Sequence, residues 1–470
     1  MTTTATATDM PQPPSTTNPA RPGQDPSAST VKKGHIGRVV VGSIVAGFVG
    51  ALVLTVGPLA GAEEHVITGS VLLAFAAAWA ALAVLSTRRT DQPQRWARIP
   101  AAAMTGAGLT ILLLAPTGNE LGWVWPAALI GLVAWMVVHA RRQLRSRTRA
   151  LLLYPVFAAL VLAALGGGYE TYRETADRSN LAMPGRMIDV GGHRLHIDCT
   201  GSGSPTVVLE PGLGEPSTAM ALIAGDGAPT TRVGVYDRAG RGWSESAGSP
   251  QDGVGVATDL RTLLDRAGEH GPYVLAGHSA GGLYVLNFAR LYPHDVAGVV
   301  LLDSMSPEQY TKIDGWPAFY ETFRRASAVL PTLSRFGVGR MIYDSASGEL
   351  PTPARDAERA YMASPRGARS ARDEFSEIRT TMSEAQALSS LGDRPLIVVT
   401  ALKSAQGGWT AAQDELAALS TNSVHRELDT ASHAMLTGDQ SAAAESSRAI
   451  NDVVASVRTS SSLAGTGAGR

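Results

Sequence analysis

The sequence predicts two parts of different structural class: an all-α membrane region, followed by an α/β domain with a mostly parallel sheet. The first part rests on long apolar runs before residue 170, each near the ~20 residues that cross a bilayer as a helix. The second rests on short apolar runs that alternate with helical patterns from residue 186 onwards. A third observation locates the centre of the α/β domain. The apolar run Tyr273–Ala276 passes into a helical pattern through Gly-x-Ser-x-Gly, with Ser279 in the middle.

The chain opens with a segment that has little to bury. Thr, Pro, Ala and Ser dominate residues 1–30, which predicts a disordered tail over residues 1–35. The formal net charge of the whole chain is −1, so its charge balance gives no reason to expect a nucleic-acid partner. The single cysteine, Cys199, cannot form an internal disulfide and is expected to be a buried thiol.

Residues 36–169 form the predicted membrane region. The alternative, buried helices of a soluble protein, is disfavoured because the apolar runs follow one another with only short polar loops between them. No acidic, basic or histidine side chain lies inside a run, so we expect an anchor rather than an ion or proton pathway. The partner expected around these helices is membrane lipid. The five predicted spans are Val39–Leu59, Val66–Leu85, Ile99–Ala115, Leu121–Val138 and Ala150–Gly168.

Loop charges predict the orientation of these spans. Lys and Arg precede the first span and fill the second and fourth loops, whereas the first and third loops hold only acidic charges, such as Glu63 and Glu120. The positive-inside rule therefore predicts a cytoplasmic N-terminus, and five crossings put everything after Tyr169 outside. Cleavage of the first span as a signal peptide would leave four spans and the same outcome. The basic residues are Lys32, Lys33, Arg38, Arg88, Arg89, Arg95, Arg98, Arg141, Arg142, Arg145, Arg147 and Arg149.

The α/β domain follows a predicted linker over residues 170–185. Its core is expected over residues 186–304 and 392–458, and a flexible tail over 459–470. The core opens with a hairpin around Gly191-Gly192 and continues as alternating strands and helices, which predicts a parallel sheet covered on both faces. The predicted strands are Met187–Val190, His193–Cys199, Thr206–Leu209, Arg232–Tyr236, Tyr273–Ala276, Val296–Leu302, Pro395–Ala401 and Val424–Leu428. The predicted helices lie near Val254–Ala267, Ala280–Leu291, Ala411–Leu419 and Ala442–Val457.

The Gly-x-Ser-x-Gly motif is predicted to be a nucleophile elbow. A strand that turns into a helix within three residues leaves room for close backbone only where Gly277 and Gly281 lack a Cβ. The turn would raise the Ser279 hydroxyl above the sheet at a helix N-terminus, where negative charge is favoured. A chance match is the alternative, since the chain holds 50 glycines in 470 residues. The strand-then-helix context favours the elbow.

With these motifs in place, residues 186–458 resemble the α/β-hydrolase fold superfamily, in its branch with a Tyr-Asp-Arg-Ala-Gly signature. The resemblance rests on the elbow, the loop Pro211–Gly214, the segment Tyr236–Ser244 and a late histidine, His433, all in the family's chain order. It says nothing about residues 1–170. It implies a hydrolase with Ser279 as nucleophile and His433 as base, with no metal or organic cofactor.

The resemblance also implies an oxyanion hole and an orienting acid. The backbone N–H groups of Ala280 and Leu213 would form the hole. The sequence departs from the family's common histidine-glycine form here, because Glu210 precedes Pro211; the backbone donor survives, but Glu210 could bring a charge to the pocket. No carboxylate closely follows the strand Pro395–Ala401, where most of the superfamily places the acid. Some relatives place the acid after the preceding strand instead, which here ends at Asp303. We therefore predict Asp303 as the orienting acid.

Two alternatives to Asp303 as the orienting acid stay open: another acid, or another role for Asp303. Asp414 follows the later strand, although it falls inside a predicted helix. Asp303 could instead cap the start of the next segment.

Residues 305–391 interrupt the core between two strands and are too long for a plain connection. We predict a mostly helical cap over Ser279 that shapes an apolar pocket and excludes water. Its large apolar residues are expected to form the cap's own core more often than to contact substrate. They are Trp316, Phe319, Tyr320, Phe323, Leu330, Leu333, Phe336, Met341 and Tyr361.

The sequence thus leads us to expect a membrane-anchored, extracytoplasmic serine hydrolase. The expected substrate is a small, apolar ester or related acyl compound, cleaved through an acyl-enzyme. An amidase or aminopeptidase of the same fold is one alternative. A non-catalytic sensor or binding module coupled to the membrane helices is another. The natural substrate and the oligomeric state stay open.

Overall fold

The computed structural model describes residues 1–3, 35–115, 122–144, 152–248, 250–343 and 348–463. The predicted tails over residues 1–35 and 459–470 lie largely outside these residues. So do parts of the third and fourth membrane loops.

Within the described residues, the membrane region has five long helices, and each overlaps one of the predicted apolar runs. Four of them are long and apolar enough to cross a bilayer, the third counted from Arg95. Their inner faces pack around Trp79, Trp96, Met136 and Phe157, and their outer faces expose apolar side chains such as Phe48, as lipid contact requires. The helices are α1 (Ile36–Val56), α2 (Glu64–Arg89), α3 (Arg98–Leu114), α4 (Val124–Gln143) and α5 (Tyr154–Asn180).

Helix α5 differs from the prediction at its C-terminal end. Residues 170–185 were expected to be a linker, but the helix continues to Asn180, which leaves only residues 181–185 between it and the first strand. Loss of hydropathy does not end a helix; the breakers Pro184 and Gly185 come later. The charged half is also held by partners, since Arg340 pairs with Glu170 at 3.0 Å and with Asp177 at 2.7 Å. These charges lower the mean hydropathy of α5, which is not among the four helices above.

The α/β domain has one eight-stranded sheet with the order β1-β2-β4-β3-β5-β6-β7-β8. The predicted hairpin is present: β1 and β2 are antiparallel, and Val190 and His193 close the turn. β2 pairs antiparallel with β4, and every other pair of neighbouring strands is parallel. The strands are β1 (Arg186–Asp189), β2 (Arg194–Thr200), β3 (Val207–Glu210), β4 (Val233–Tyr236), β5 (Tyr273–His278), β6 (Val296–Leu302), β7 (Leu396–Ala401) and β8 (Ser423–Leu428).

Helices cover both faces of this sheet, as the predicted class requires. On one face Leu263 and Phe288 are buried against the sheet; on the other, Ile223, Ile450 and Val453 are. Both cores are apolar and tightly closed, which stabilises the sheet that carries the site. The covering helices are α6 (Ala221–Gly227), α7 (Gly253–Ala267), α8 (Gly281–Leu291), and, after the insertion, α15 (Trp409–Ala417), α16 (Met435–Gly438) and α17 (Gln440–Thr459).

The insertion between β6 and β7 is helical. Its longest helix, α14, packs Phe375 and Met382 into the same core as α8. The Phe375 ring lies 5.2 Å from Tyr320 and 4.6 Å from Phe323, between centroids, so part of the aromatic set forms the insertion's own core. The helices are α9 (Gln309–Lys312), α10 (Trp316–Ser327), α11 (Leu330–Arg335), α12 (Val338–Tyr343), α13 (Thr352–Ala363) and α14 (Pro365–Ala385).

The insertion also touches the membrane helices. Arg335 pairs with Glu64 at the start of α2 at 2.7 Å, and the Phe336 ring lies 5.9 Å from Trp125. A Cβ on Gly166 of α5 would meet the Phe336 carbonyl at 2.1 Å, so only glycine fits this contact. The α/β domain is therefore seated on the ends of the spans.

A buried ion pair joins the start of the domain to the sheet. His196 donates from Nδ1 to Asp237 at 2.8 Å and from Nε2 to the Pro184 carbonyl at 2.7 Å. Both ring nitrogens face acceptors, so the ring is held as an imidazolium. Burial lowers the pKa of His196, but Asp237 and the Pro184 carbonyl raise it further, to above its ordinary value.

This pair predicts a pH dependence of stability. A raised histidine pKa gives stability that is complete below the unfolded value of about 6.5 and is lost as pH rises through the folded pKa. The unfolding midpoint of the detergent-solubilised protein should therefore fall above pH 6.5, and His196→Gln should reduce that fall. His294→Gln, at an exposed position, should leave it unchanged; equal slopes for both variants would contradict this role of His196.

Candidate active site

The turn from β5 to α8 has the strained geometry that the elbow motif predicts. Ser279 has a φ of 55°, in the left-handed region that side chains rarely adopt. A Cβ on Gly277 would lie 2.6 Å from the Gly281 carbonyl carbon, and one on Gly281 would lie 2.3 Å from the Glu210 carbonyl oxygen. Both positions therefore require glycine, and Ser279 is left partly exposed above the sheet.

A third glycine, Gly282, supports the turn and is not part of the Gly-x-Ser-x-Gly motif. A Cβ there would lie 1.6 Å from Ser304 Oγ. That hydroxyl donates to the Ser279 carbonyl at 3.3 Å, and the Met305 N–H donates to the same carbonyl at 2.9 Å. The segment after β6 thus fixes the backbone of Ser279.

The structure brings two of the predicted residues, His433 and Asp303, together. His433 Nδ1 lies 2.6 Å from Asp303 Oδ2, so in the neutral ring Nδ1 carries the proton and Nε2 is an acceptor. Asp303 Oδ1 accepts from the Ala401 N–H at 3.1 Å and from Trp409 Nε1 at 2.7 Å. The Asp303 side chain is 3% exposed and that of His433 37%. A buried carboxylate with three donors is well suited to orient an imidazole.

The alternative acid lies elsewhere. Asp414 Oδ1 is 2.7 Å from His425 Nδ1, and the other nitrogen of that ring lies 2.7 Å from Thr400 Oγ1. Asp414 is thus paired with a different histidine. The capping alternative for Asp303 also finds no support. Its Oδ1 accepts from the Ala401 N–H and the Trp409 indole, and its Oδ2 lies against His433.

The loop after β3 leaves one N–H group available. The Gly212 N–H donates to Glu215 at 2.8 Å, and the Gly214 N–H donates to Glu374 at 2.6 Å. Among the described residues, the N–H of Leu213 between them has no hydrogen-bond partner, and neither has that of Ala280 after the serine. These are the two donors that the predicted oxyanion hole needs.

Glu210 does not bring its charge to the pocket, as the sequence suggested it could. It is buried beneath the loop, where it pairs with Arg238 at 2.6 Å and accepts from the Tyr236 hydroxyl. These partners are needed because a carboxylate that is buried away from water is tolerated only beside a cation and hydrogen-bond donors.

Arg238 of the Tyr-Asp-Arg-Ala-Gly segment holds the loop in place. Its guanidinium donates to the carbonyls of Pro211 at 2.9 Å and Gly212 at 2.7 Å. It also pairs with Glu374 of helix α14 at 2.8 Å. Glu374, which sequence reasoning missed, accepts from Tyr284 at 2.9 Å and pairs with Arg241. Burial raises the pKa of Glu374, but Arg238 and Arg241 bring it below its ordinary value.

A second histidine lies beside His433. The rings of His278 and His433 are 4.6 Å apart between centroids, and His278 Nε2 donates to the His433 carbonyl at 3.1 Å. On its other side, Nδ1 lies 3.6 Å from Glu215. Burial lowers the pKa of His278, but Glu215 raises it further, to above its ordinary value. His278 thus packs beside His433 and links the loop at Glu215 to the loop at His433.

Within the described part of the chain, no group of three or more His, Cys, Asp or Glu side chains is placed to hold a metal ion.

Comparison with known families agrees with this fold. Residues 205–440 match the family model described as alpha/beta hydrolase fold, which is half of the chain. The protein therefore belongs to the α/β-hydrolase fold family, and the predicted resemblance and fold class are confirmed.

Individual relatives match over shorter stretches. The uncharacterised Bacillus subtilis protein YbdG is 28% identical over 144 residues, covering 30% of this chain and 44% of YbdG. An uncharacterised Schizosaccharomyces pombe protein is 35% identical over 157 residues, covering 27% of this chain and 29% of that one. The probable transporter efuK of Hormonema carpetanum is 30% identical over 135 residues, 27% of this chain and 19% of efuK. The chain thus spans less than half the length of each.

Solved structures are similar at lower identity. A thermophilic esterase from Thermogutta terrifontis is 21% identical, with a TM-score of 0.45, covering 56% of this chain and 94% of the esterase. The haloalkane dehalogenase DbeA from Bradyrhizobium elkani is 19% identical, with a TM-score of 0.49, covering 59% of this chain and 99% of DbeA.

The buried network around Arg238 predicts a large effect of a small change. Glu374→Gln keeps the shape but removes one of two carboxylates that face two guanidinium groups, and should lower the free energy of unfolding by about 3–5 kcal/mol. Chemical denaturation monitored by tryptophan fluorescence would measure it. The matched control is Glu415→Gln, which removes an exposed pair with Lys312 and should cost at most about 1 kcal/mol. Similar losses in both variants would contradict the network's importance.

Proposed function

We propose that the protein is a membrane-anchored, extracytoplasmic serine hydrolase that cleaves a carboxylic ester or related acyl substrate. The observation that carries the proposal is the 2.6 Å contact between His433 Nδ1 and the buried Asp303 carboxylate, in a fold that presents Ser279 on a strained turn. A module that only binds has no need of a histidine oriented in this way, which disfavours the sensor alternative.

The proposed reaction proceeds through an acyl-enzyme. Ser279 Oγ attacks the substrate carbonyl carbon while His433 Nε2 accepts its proton, and Asp303 stabilises the imidazolium that forms. The carbonyl oxygen becomes an oxyanion, for which the N–H groups of Ala280 and Leu213 are the available donors. The imidazolium then gives its proton to the leaving alkoxide, and the ester bond breaks. Water then attacks the acyl-enzyme carbonyl while His433 Nε2 accepts its proton. The imidazolium gives this proton to Ser279 Oγ as the acyl–oxygen bond breaks, which releases the acid and restores the Ser279 hydroxyl.

The nucleophile favours this chemistry over that of the dehalogenases with the same fold. Those enzymes, like the related epoxide hydrolases, use an aspartate at the elbow, whereas this chain has Ser279. A small, apolar acyl group is the proposed substrate; an amide or an N-terminal peptide bond is the alternative, which a substrate panel decides.

The proposed compartment depends on α5 crossing the membrane as a fifth span. Its support is the antiparallel packing of α5 on α4: Arg141 Nε donates to the Tyr154 hydroxyl at 3.1 Å near one end, and Thr171 Oγ1 donates to the Gly122 carbonyl at 3.1 Å near the other. A helix that runs the length of a span crosses the same thickness of lipid. The hydrolase domain would then lie opposite the arginine-rich loops, which the positive-inside rule assigns to the cytoplasm.

The catalytic roles predict distinct effects of three substitutions. Ser279→Ala should abolish both ester turnover and labelling by a fluorophosphonate. Asp303→Asn should lower turnover by about 10⁴-fold, because an amide favours the wrong tautomer of His433. Asp414→Asn is the control and should change turnover little. Labelling of the Ser279→Ala variant at the wild-type level would exclude Ser279 as the nucleophile, and the reverse ranking of the two aspartates would exclude Asp303 as the acid.

The topology predicts where single cysteines react on intact cells. In a Cys199→Ala background, Glu63→Cys and Asn180→Cys should react with an impermeant thiol reagent, and Arg142→Cys should react only after permeabilisation. Cys199→Ala removes the single native cysteine, so labelling reports the introduced thiol alone. Reaction of Arg142→Cys but not Asn180→Cys on intact cells would reverse the assigned orientation.

A further inference from the structure

A cavity of about 990 Å³ lies between the membrane helices and the hydrolase domain. Its walls come from the start of α2, the end of α5, the loop after β4, and helices α13 and α14. Neither Ser279 nor His433 lines it. The cavity is thus separate from the candidate active site, and nothing in the proposed reaction uses it.

Three buried arginines of this cavity have N–H groups without partners. Arg238, Arg241 and Arg372 are 4%, 3% and 7% exposed, and all three line the cavity. Within the described part of the chain, Arg238 Nε, Arg241 Nε and Nη1, and Arg372 Nη1 make no hydrogen bond. A buried charged donor without an acceptor costs about 1–3 kcal/mol or more, so these groups favour a ligand that brings acceptors.

Most carboxylates that line the cavity are paired with arginines, whereas Arg366, which also lines it, has no carboxylate partner among the described residues. Arg366 contacts the Ser244 carbonyl, and no carboxylate within the described ranges pairs with it. Burial lowers the pKa of Arg366, as expected for a guanidinium without an adjacent counter-ion. The paired carboxylates are Glu64 with Arg335 and Arg369, Asp177 with Arg340, Glu245 with Arg194, Asp373 with Arg372, and Glu374 with Arg238 and Arg241.

We propose that this cavity binds the phosphate group of an anionic ligand, with Arg366 and Arg241 as its principal cations. A guanidinium presents its donors in a planar fork that matches phosphate oxygens, and such charge-assisted bonds are the stronger ones. The cavity is partly built by Glu64 and His65 at the start of α2 and by Leu181 after α5, where the chain leaves the membrane. A phospholipid headgroup is therefore the expected source of the phosphate.

Binding can be tested on the full-length protein in a phosphate-free maltoside detergent. The probes are dihexanoylphosphatidic acid, inorganic phosphate and dihexanoylglycerol, and the readout is the saturable rise in the unfolding midpoint. Phosphatidic acid should raise the midpoint, and dihexanoylglycerol should not. Arg366→Gln should weaken the apparent affinity for phosphatidic acid about tenfold, the loss of one charge-assisted contact. Arg325→Gln removes the same charge from a side chain that is 53% exposed and does not line the cavity, and should leave the affinity unchanged.

The possible outcomes distinguish a lipid from free phosphate as the ligand, and they include results that would overturn the proposal. Affinity for phosphatidic acid at least about tenfold above that for inorganic phosphate identifies a lipid, whereas equal affinities identify free phosphate. Equal responses to dihexanoylglycerol and phosphatidic acid, no response to either phosphate probe, or an undiminished response of Arg366→Gln would overturn the proposal. If Arg366→Gln does not fold, Arg366→Lys keeps the charge without the fork and should show an intermediate loss. None of these readouts depends on hydrolytic activity, so the site and the proposed reaction can fail separately.

Discussion

The buried contacts of Arg238 with Glu210 and Glu374 are the constraint on which the rest of the site depends. Two guanidinium groups, those of Arg238 and Arg241, face these two carboxylates away from water. Ions in such a place are tolerated only when they are paired and hydrogen-bonded. Arg238 also donates from Nη1 and Nη2 to two carbonyls of the loop after β3. The position of that loop is thereby tied to the electrostatics beneath it.

Glu374 belongs to α14, whose apolar face packs on α8 behind the serine, and its partner Arg241 lines the cavity beside the membrane helices. Separate ion pairs join the insertion to those helices: Arg335 and Arg369 pair with Glu64 at the start of α2, and Arg340 pairs with Glu170 on α5. The hydrolase domain and the spans are thus joined by polar contacts on both sides of one cavity, and any ligand in it would touch both parts.

The sequence predicted what local pattern can determine. The strand Val296–Leu302 has the predicted bounds, because an uninterrupted apolar run between polar ends is typical of a buried parallel strand. The elbow was equally local. Glu374 could not be found in this way, since its partners lie 90 or more residues away in sequence, and a charged position on an amphipathic helix is ordinarily solvated. Local pattern also does not show which strand end lies beside His433. The contact of His433 with Asp303, and of Asp414 with His425, is seen only in the fold.

The charged C-terminal half of helix α5 affects how firmly the hydrolase domain is attached to the membrane helices. The sequence predicts a linker over its charged half, which would let the hydrolase domain move freely relative to the helices. A continuous helix of 27 residues is about 40 Å long, whereas the hydrocarbon core is about 30 Å thick. As the proposed fifth span, α5 would therefore extend about 10 Å beyond the hydrocarbon core. Arg340 of the insertion pairs with Glu170 and Asp177 on α5, so ion pairs hold the insertion against the charged half of that helix.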